Sequence, residues 1–522
     1  MADLSILGYP SSTRYPFIAA QILFNQGPSN APAGKRKILV VGPQTSAATW
    51  AVNTIYRGTD EKTVRDGAGA GSPNHQAQRM IGAINKTADV YHLTYPATSG
   101  GSPASADATI TVSFDSGSAP TATGKLTLEL GPEDVDIGFG TSDTATTIGD
   151  NIEAAINQRD YLGYTASNSS GTVTLTAKIA GVSQGDGTTG VHRIGASYDA
   201  GKNVAVAVEA GALGLSTGTD GADGTTTELA NLTAALATVT NRDDYYIVTS
   251  VWSAAQLAPL KTHISSRAEP NPGKLGCVIA GNTGALAACQ TIATGINFNR
   301  VGIIWQKNSR HTPVELAAAY TAILQKYEEI DPTVNLNGYA EADWPIVPQK
   351  SNADWPSGAD LEDAVTDGIS PVEVLNSSRT SLGMSVTTQS KDSSGALDDW
   401  RSTERHRVSG ADNLLTKIKT RYALTYGRKK LAPDQLDADG KVNPNQKLRA
   451  GVVTPSMVKP FILKVIREDW ENSNLRDMET PTESMILQID PSNGSRLQCA
   501  FSFVVIDHLN QTSFRAAEVN AG

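Results

Sequence analysis

Ile38-Leu39-Val40-Val41-Gly42 is an unbroken apolar run closed by glycine. A strand with solvent on one face alternates apolar and polar residues, so a run without alternation reads as a strand covered on both faces. Val90-Tyr91-His92-Leu93-Thr94-Tyr95, Tyr245-Tyr246-Ile247-Val248-Thr249, Cys277-Val278-Ile279-Ala280 and Val301-Gly302-Ile303-Ile304-Trp305 continue the pattern. Helical stretches lie between them, at 73–85, 253–266 and 284–294. This alternation predicts an α/β sheet with parallel pairs. The best helix signal comes next: Thr312-Pro313-Val314-Glu315 places Thr at the N-cap, Pro at N1 and Glu at N3. Leu316, Tyr320, Ile323 and Tyr327 then recur at helical spacing, which predicts one buried stripe.

Between about 97 and 222 the period changes. Residues 108–114, 125–130 and 172–177 alternate with period two, a helix is expected at 147–157, and Gly/Ser/Thr/Asp clusters close both ends. A module of this kind, inserted into a host domain, is tolerated because loop closure costs grow slowly, and it is expected to project from the host. Residues 1–34 read as an N-terminal arm whose strand carries Tyr15, Phe17, Ile22 and Phe24. A lone strand cannot bury its own apolar face and must add to a sheet. After a Pro/Trp-rich connector at 345–356, a second α/β region is expected, with helices at 413–426 and near 458–471. Phe501, Phe503 and Val505 alternate along a last strand that leads into a polar tail. The expected architecture is multi-domain, α/β and α+β. An α/β core domain (35–96 and 223–345) is interrupted by a mostly antiparallel β-rich insert (97–222). A C-terminal α/β domain (346–506) follows, with extended arms at 1–34 and 507–522.

Bulk properties narrow the function. With 522 residues, three or four domains are expected. Charged residues make up 18% and the net charge is −10, with only short basic clusters at 35–37 and 428–430, so nucleic acid is not an expected partner. No apolar run approaches membrane-spanning length and no signal peptide is expected, so membrane insertion is not expected either. Cys277, Cys289 and Cys499 match no metal spacing and read as buried, reduced thiols. Chemical motifs are weak throughout. Gly34-Lys35 lacks phosphate-loop spacing and is followed by a strand. Gly67-Ala68-Gly69-Ala70-Gly71-Ser72 reads best as a tight turn packed against a neighbour. The acidic turn at 220–228 fails the calcium-loop pattern, and the seven histidines show no zinc spacing. Neither a catalytic residue nor a metal or cofactor is assigned.

Several stretches resemble the contractile phage tail sheath family, in the branch found in Mu-like myophages. Gly67–Ser72 followed by Met80, and the insert segments Leu126-Thr127-Leu128-Glu129-Leu130-Gly131 and Val173-Thr174-Leu175-Thr176-Ala177-Lys178, match in order. So does Thr312-Pro313-Val314-Glu315-Leu316. The C-terminal region is most specific. It contains Asp367-Gly368-Ile369-Ser370, Met384-Ser385-Val386-Thr387-Thr388 followed by Gly395 and Asp398, Arg421-Tyr422, Arg428-Lys429-Lys430-Leu431-Ala432, and Thr454-Pro455. Met384 stands where the family usually has arginine.

The resemblance implies a structural virion protein of the tail, assembled in the host cytoplasm. It would polymerise with itself as six-fold rings around a tail tube protein and meet baseplate and tail terminator proteins. The arms would add strands to neighbouring copies, through Tyr15, Phe17, Ile22, Phe24, Phe501, Phe503 and Val505. Lys417, Lys419, Arg421, Arg428, Lys429 and Lys430, the densest basic stretch of the region, are candidates for facing the tube. The alternatives are the sheath of a tail-derived bacteriocin or injection device, an α/β enzyme with a pocket at the carboxyl ends of its strands, and an adhesin, which would need a secretion signal.

Overall fold

The computed structural model describes residues 36–181, 191–208, 222–250, 253–269, 273–392, 404–443 and 448–509. They form two compact units, the larger within Gly34–Ile330 and Gly338–Arg405, the smaller within Asp331–Asn337 and His406–Gly522.

The larger unit opens with β1 (Ile38–Pro43), β2 (Ile55–Gly58), α1 (Glu61–Ala68), α2 (Pro73–Ile84) and β3 (Val90–Tyr95). The insert follows: β4 (Asp107–Ser113), β5 (Gly124–Leu130), β6 (Glu133–Phe139), α3 (Ala145–Asn157), β7 (Tyr164–Ser169), β8 (Thr172–Ala177), β9 (Ile194–Tyr198) and β10 (Ala205–Val208). The chain returns through α4 (Glu228–Thr238), β11 (Tyr246–Thr249), α5 (Ala254–Ala268), β12 (Cys277–Asn282), α6 (Leu286–Ile296), β13 (Val301–Trp305) and α7 (Pro313–Glu328). It finishes with α8 (Gly358–Thr366), β14 (Ser370–Asn376) and β15 (Arg379–Leu382).

One sheet runs in the order β15-β14-β13-β12-β11-β1-β3-β2. It is parallel from β3 to β14, with an antiparallel strand added at each edge. Every residue of β1, β11, β12 and β13 is buried, as their unbroken apolar runs require.

The capping box forms: Thr312 Oγ1 accepts from Glu315 N, and the Glu315 carboxylate accepts from Thr312 N. The helix it starts does not present a single buried stripe. Every residue of α7 from Pro313 to Gln325 is buried, because β11, β12 and β13 pack against it on one side and α2 on another. Close approach depends on small residues. A Cβ on Gly281 would lie 1.9 Å from the Pro313 carbonyl oxygen. Within the Gly67–Ser72 stretch, Gly67 and Ala68 end α1 and Gly69–Ser72 make a tight turn into α2: Gly69 and Gly71 have positive φ, and a Cβ on Gly69 would lie 1.8 Å from Thr45 Oγ1.

Two antiparallel sheets, β10-β4-β8-β7 and β6-β5-β9, share one core with α3 in the insert. The insert is bolted to its host by buried polar groups. Glu315, fully buried, meets His192 Nε2 at 3.1 Å, His311 Nδ1 at 3.1 Å and Arg79 at 3.6 Å. Burial pushes the Glu315 carboxyl up, but the His192 and His311 imidazoles outweigh it and hold the group well below its usual range. Arg310 donates to the Gly131 carbonyl at 2.8 Å and pairs with Glu129 and Asp134 at 3.2 and 2.8 Å.

Residues 338–405 pack with the larger unit. β14 extends the main sheet beside β13, and Thr388 N donates to Val301 O at 2.8 Å. The Gly368-Ile369-Ser370 and Met384–Thr388 stretches meet in space: a Cβ on Gly368 would lie 2.6 Å from Thr387 O, and Val386 N donates to Ser370 Oγ at 3.0 Å.

The smaller unit comprises α9 (Arg405–Tyr426, apart from its first residue), β16 (Lys430–Leu431), β17 (Val452–Val453), α10 (Pro455–Glu471), α11 (Glu479–Ser484), β18 (Ile486–Asp490) and β19 (Asn493–Ala500). α10 runs through Pro460 without a break. Its core gathers Leu414, Val453, Val458, Ile462, Ile466, Met485 and Phe503. Cys277 and Cys289 are buried, but Cys499 is exposed on β19, where neighbouring residues face opposite ways; none of the three forms a disulfide.

Gly281→Ala should destabilise the chain by about 1–3 kcal/mol in urea unfolding, because backbone must move. Gly82→Ala, with nothing within 4 Å, should instead stabilise α2 by up to about 1 kcal/mol. Glu315→Gln should cost about 3–5 kcal/mol at neutral pH, since it breaks a buried ion cluster. A carboxyl depressed on folding stabilises fully above its ordinary value of 4.5 and loses that contribution as pH falls below it, so the gap between variant and parent should narrow there.

Candidate assembly site

The described residues of the smaller unit carry the candidate site. β18 and β19 form a two-stranded antiparallel sheet, with no third strand among the described residues. Helix α10 packs against β18, but Leu487, Leu497 and Phe501 are only partly buried. A hairpin of two strands is marginal by itself, and a sheet edge left without a partner strand is a site where another strand can add.

Apolar side chains also stand in solvent here. Leu424, in the last turn of α9, is 83% exposed and Leu436 is 60% exposed. Leu436 pairs with Val442 in a small hairpin that turns through Asp437–Lys441, where Asp437 N donates to Lys441 O at 2.8 Å. Met457, Trp470 and Ile486 are exposed as well. From sequence alone no element is assigned to this hairpin. Its signal is present: Leu436 and Val442 flank an Asp-Ala-Asp-Gly stretch.

Tyr15, Phe17, Ile22 and Phe24 lie outside the described residues. The expected C-terminal strand through Phe501, Phe503 and Val505 is not one. Phe503 and Val505 are buried within their own unit, and Phe501 packs at the edge of the same core. Val505 bridges to Leu475, Arg476 N donates to Val504 O at 3.0 Å, and the His508 ring meets Thr333 O at 2.8 Å. The alternation read as strand faces is here a loop that buries Phe503 and Val505. The expected arm at 507–522 lies outside the described residues from 510 onward.

The basic set divides. Lys417 is buried and donates to Asp469, whose carboxyl burial pushes up to about 7 against the pull of that lysine. Lys419 is half-buried along α9, and burial lowers its pKa. Arg421 pairs with Glu468 across α9 and α10. Arg428, Lys429 and Lys430 are exposed, and their side chains have no ion-pair partner among the described residues. Of the set, these three are presented outward.

No family model and no curated protein matches the chain. Among solved structures, it is similar to a sheath tail protein from Desulfitobacterium hafniense at 13% identity, with a TM-score of 0.44, covering 95% of this chain and 100% of that one. It is also similar to the helical sheath of the anti-feeding prophage in its contracted state, at 9% identity and a TM-score of 0.40, covering 98% of this chain and 99% of that one. A chain of the anti-feeding prophage baseplate matches over 53% of this chain and 68% of that one, at 9% identity and a TM-score of 0.34. At these scores the likeness assigns neither activity nor partners to this chain. The descriptions name a sheath tail protein, a helical sheath and a baseplate, and none specifies a Mu-like branch.

Proposed function

We propose that the chain is a structural subunit of a contractile tail sheath, polymerising as six-fold rings around a tail tube and shortening to drive that tube through a host envelope. The observation that carries the reading is the small sheet of the smaller unit: two strands, with no third among the described residues, in a unit that also exposes Leu424, Leu436, Met457, Trp470 and Ile486. An isolated monomer has no use for such a surface, whereas strand addition from another copy completes it. Residues 15–24, apolar and strand-like in sequence, are a donor of suitable length. The ordered family resemblance, densest between Asp367 and Pro455, supports the same reading.

The function is mechanical. Links made of shared strands let subunits change pitch without separating, and the energy for shortening is stored in interfaces. Arg428, Lys429 and Lys430 suit an acidic tube surface, because exposed charge binds weakly and is readily screened. Baseplate and terminator proteins close the polymer at its ends, and the assembled protein resides in the tail of the virion.

Reversing Arg428, Lys429 and Lys430 together to glutamate should leave a folded protein that no longer assembles on tubes in co-sedimentation; normal assembly on tubes would remove these residues from the interface. Deleting residues 1–24 should leave a chain with parental circular dichroism that sediments as a monomer at concentrations where the parent polymerises. Undiminished polymer after that deletion would contradict strand donation.

A further inference from the structure

Glu328, the last residue of α7, is buried beside two guanidinium groups from distant parts of the chain. Arg36 donates to it directly, and Tyr246 Oη donates to the same Oε2 at 2.5 Å. The Arg36 backbone is held by the same helical turn: its N–H donates to Glu329 at 3.1 Å, and its carbonyl accepts from Gln325 at 3.2 Å. Arg405, the first residue of α9, stands 3.6 Å from Glu328 Oε2. That exceeds hydrogen-bond length, and none of its three guanidinium nitrogens has a hydrogen-bond partner among the described residues, although the side chain is only 2% exposed.

We propose that Arg36 and Arg405 compete for Glu328, so that withdrawing one guanidinium tightens the grip of the other. Two cations around one carboxylate in a dry interior repel each other, and only one of them is fully bonded. Arg405 needs to move by less than about 1 Å to form a charged hydrogen bond once Arg36 lets go. Nothing else in the cluster has to rearrange, because Tyr246 stays bonded to Glu328. Arg36 is the root of the N-terminal segment and Arg405 the root of α9, so the shared carboxylate makes the hold on one root depend on the other. On the sheath reading, on which this consequence alone rests, tension along residues 1–35 reaches Arg36 first. It is answered by a firmer hold on the start of α9.

Hydrogen exchange on the full-length chain tests the competition without requiring polymer, so its failure is distinct from failure of the sheath reading. Arg36→Met should speed exchange at Tyr245 and Tyr246, whose amides donate to Lys37 O, and slow it about threefold across Arg405–Ser409. Arg405→Met should slow exchange at Tyr245 and Tyr246. In a Glu328→Gln background, Arg36→Met should no longer affect Arg405–Ser409. Should Arg36→Met fail to fold, Arg36→Lys keeps the charge and should give the same signs with smaller size. Unchanged or faster exchange at Arg405–Ser409 on loss of Arg36 would overturn the proposal, since a purely structural cluster loosens everywhere at once.

Discussion

A helix with no solvent-facing side must have every neighbour in place, and α7 imposes that condition on the larger unit. Its first turn carries Glu315, the carboxylate that joins the insert through His192 to the host through His311 and Arg79. Its middle, with Ala317, Ala318 and Ala319 all buried, lies against the parallel sheet. Its last residue carries Glu328, which holds Arg36 and faces Arg405. One element thus fixes the insert at one end and two chain roots at the other. Because both carboxylates are buried, each must be compensated, and removing a single partner leaves an exposed deficit in a medium that cannot screen it.

The smaller unit is built differently. Its fully buried core is small, and a ring of partly buried residues surrounds it, including Tyr422, Phe461, Leu463 and Leu497. A small core with many partly buried residues around it leaves apolar area that a further packed segment would bury. Phe503 and Val505 are buried within the unit itself.

Much of the larger unit was legible in the residues. Unbroken apolar runs located the central strands, period-two alternation marked the insert, and Thr312-Pro313-Val314-Glu315 marked the start of α7, because these signals depend on local chemistry. Long-range pairing was not legible. Residues 370–388 read as part of a second α/β region, but β14 finds its partner in β13, across the intervening α7 and α8. The stripe at Leu316, Tyr320, Ile323 and Tyr327 understated how deeply α7 lies, since alanines fit a buried face as well as a neutral one. Nothing near Lys417 in sequence shows that it is buried, because its partner, Asp469, sits on another helix. His192 showed no metal spacing, and its actual role beside Glu315 depends on folding that spacing does not encode.

The central claim is that this chain completes its smaller unit by joining copies of itself. Electron microscopy of the purified full-length protein at high concentration tests it most directly. The account predicts hollow, striated tubes or stacked six-fold rings. Discrete monomers or small oligomers under every salt and pH condition tried would contradict it.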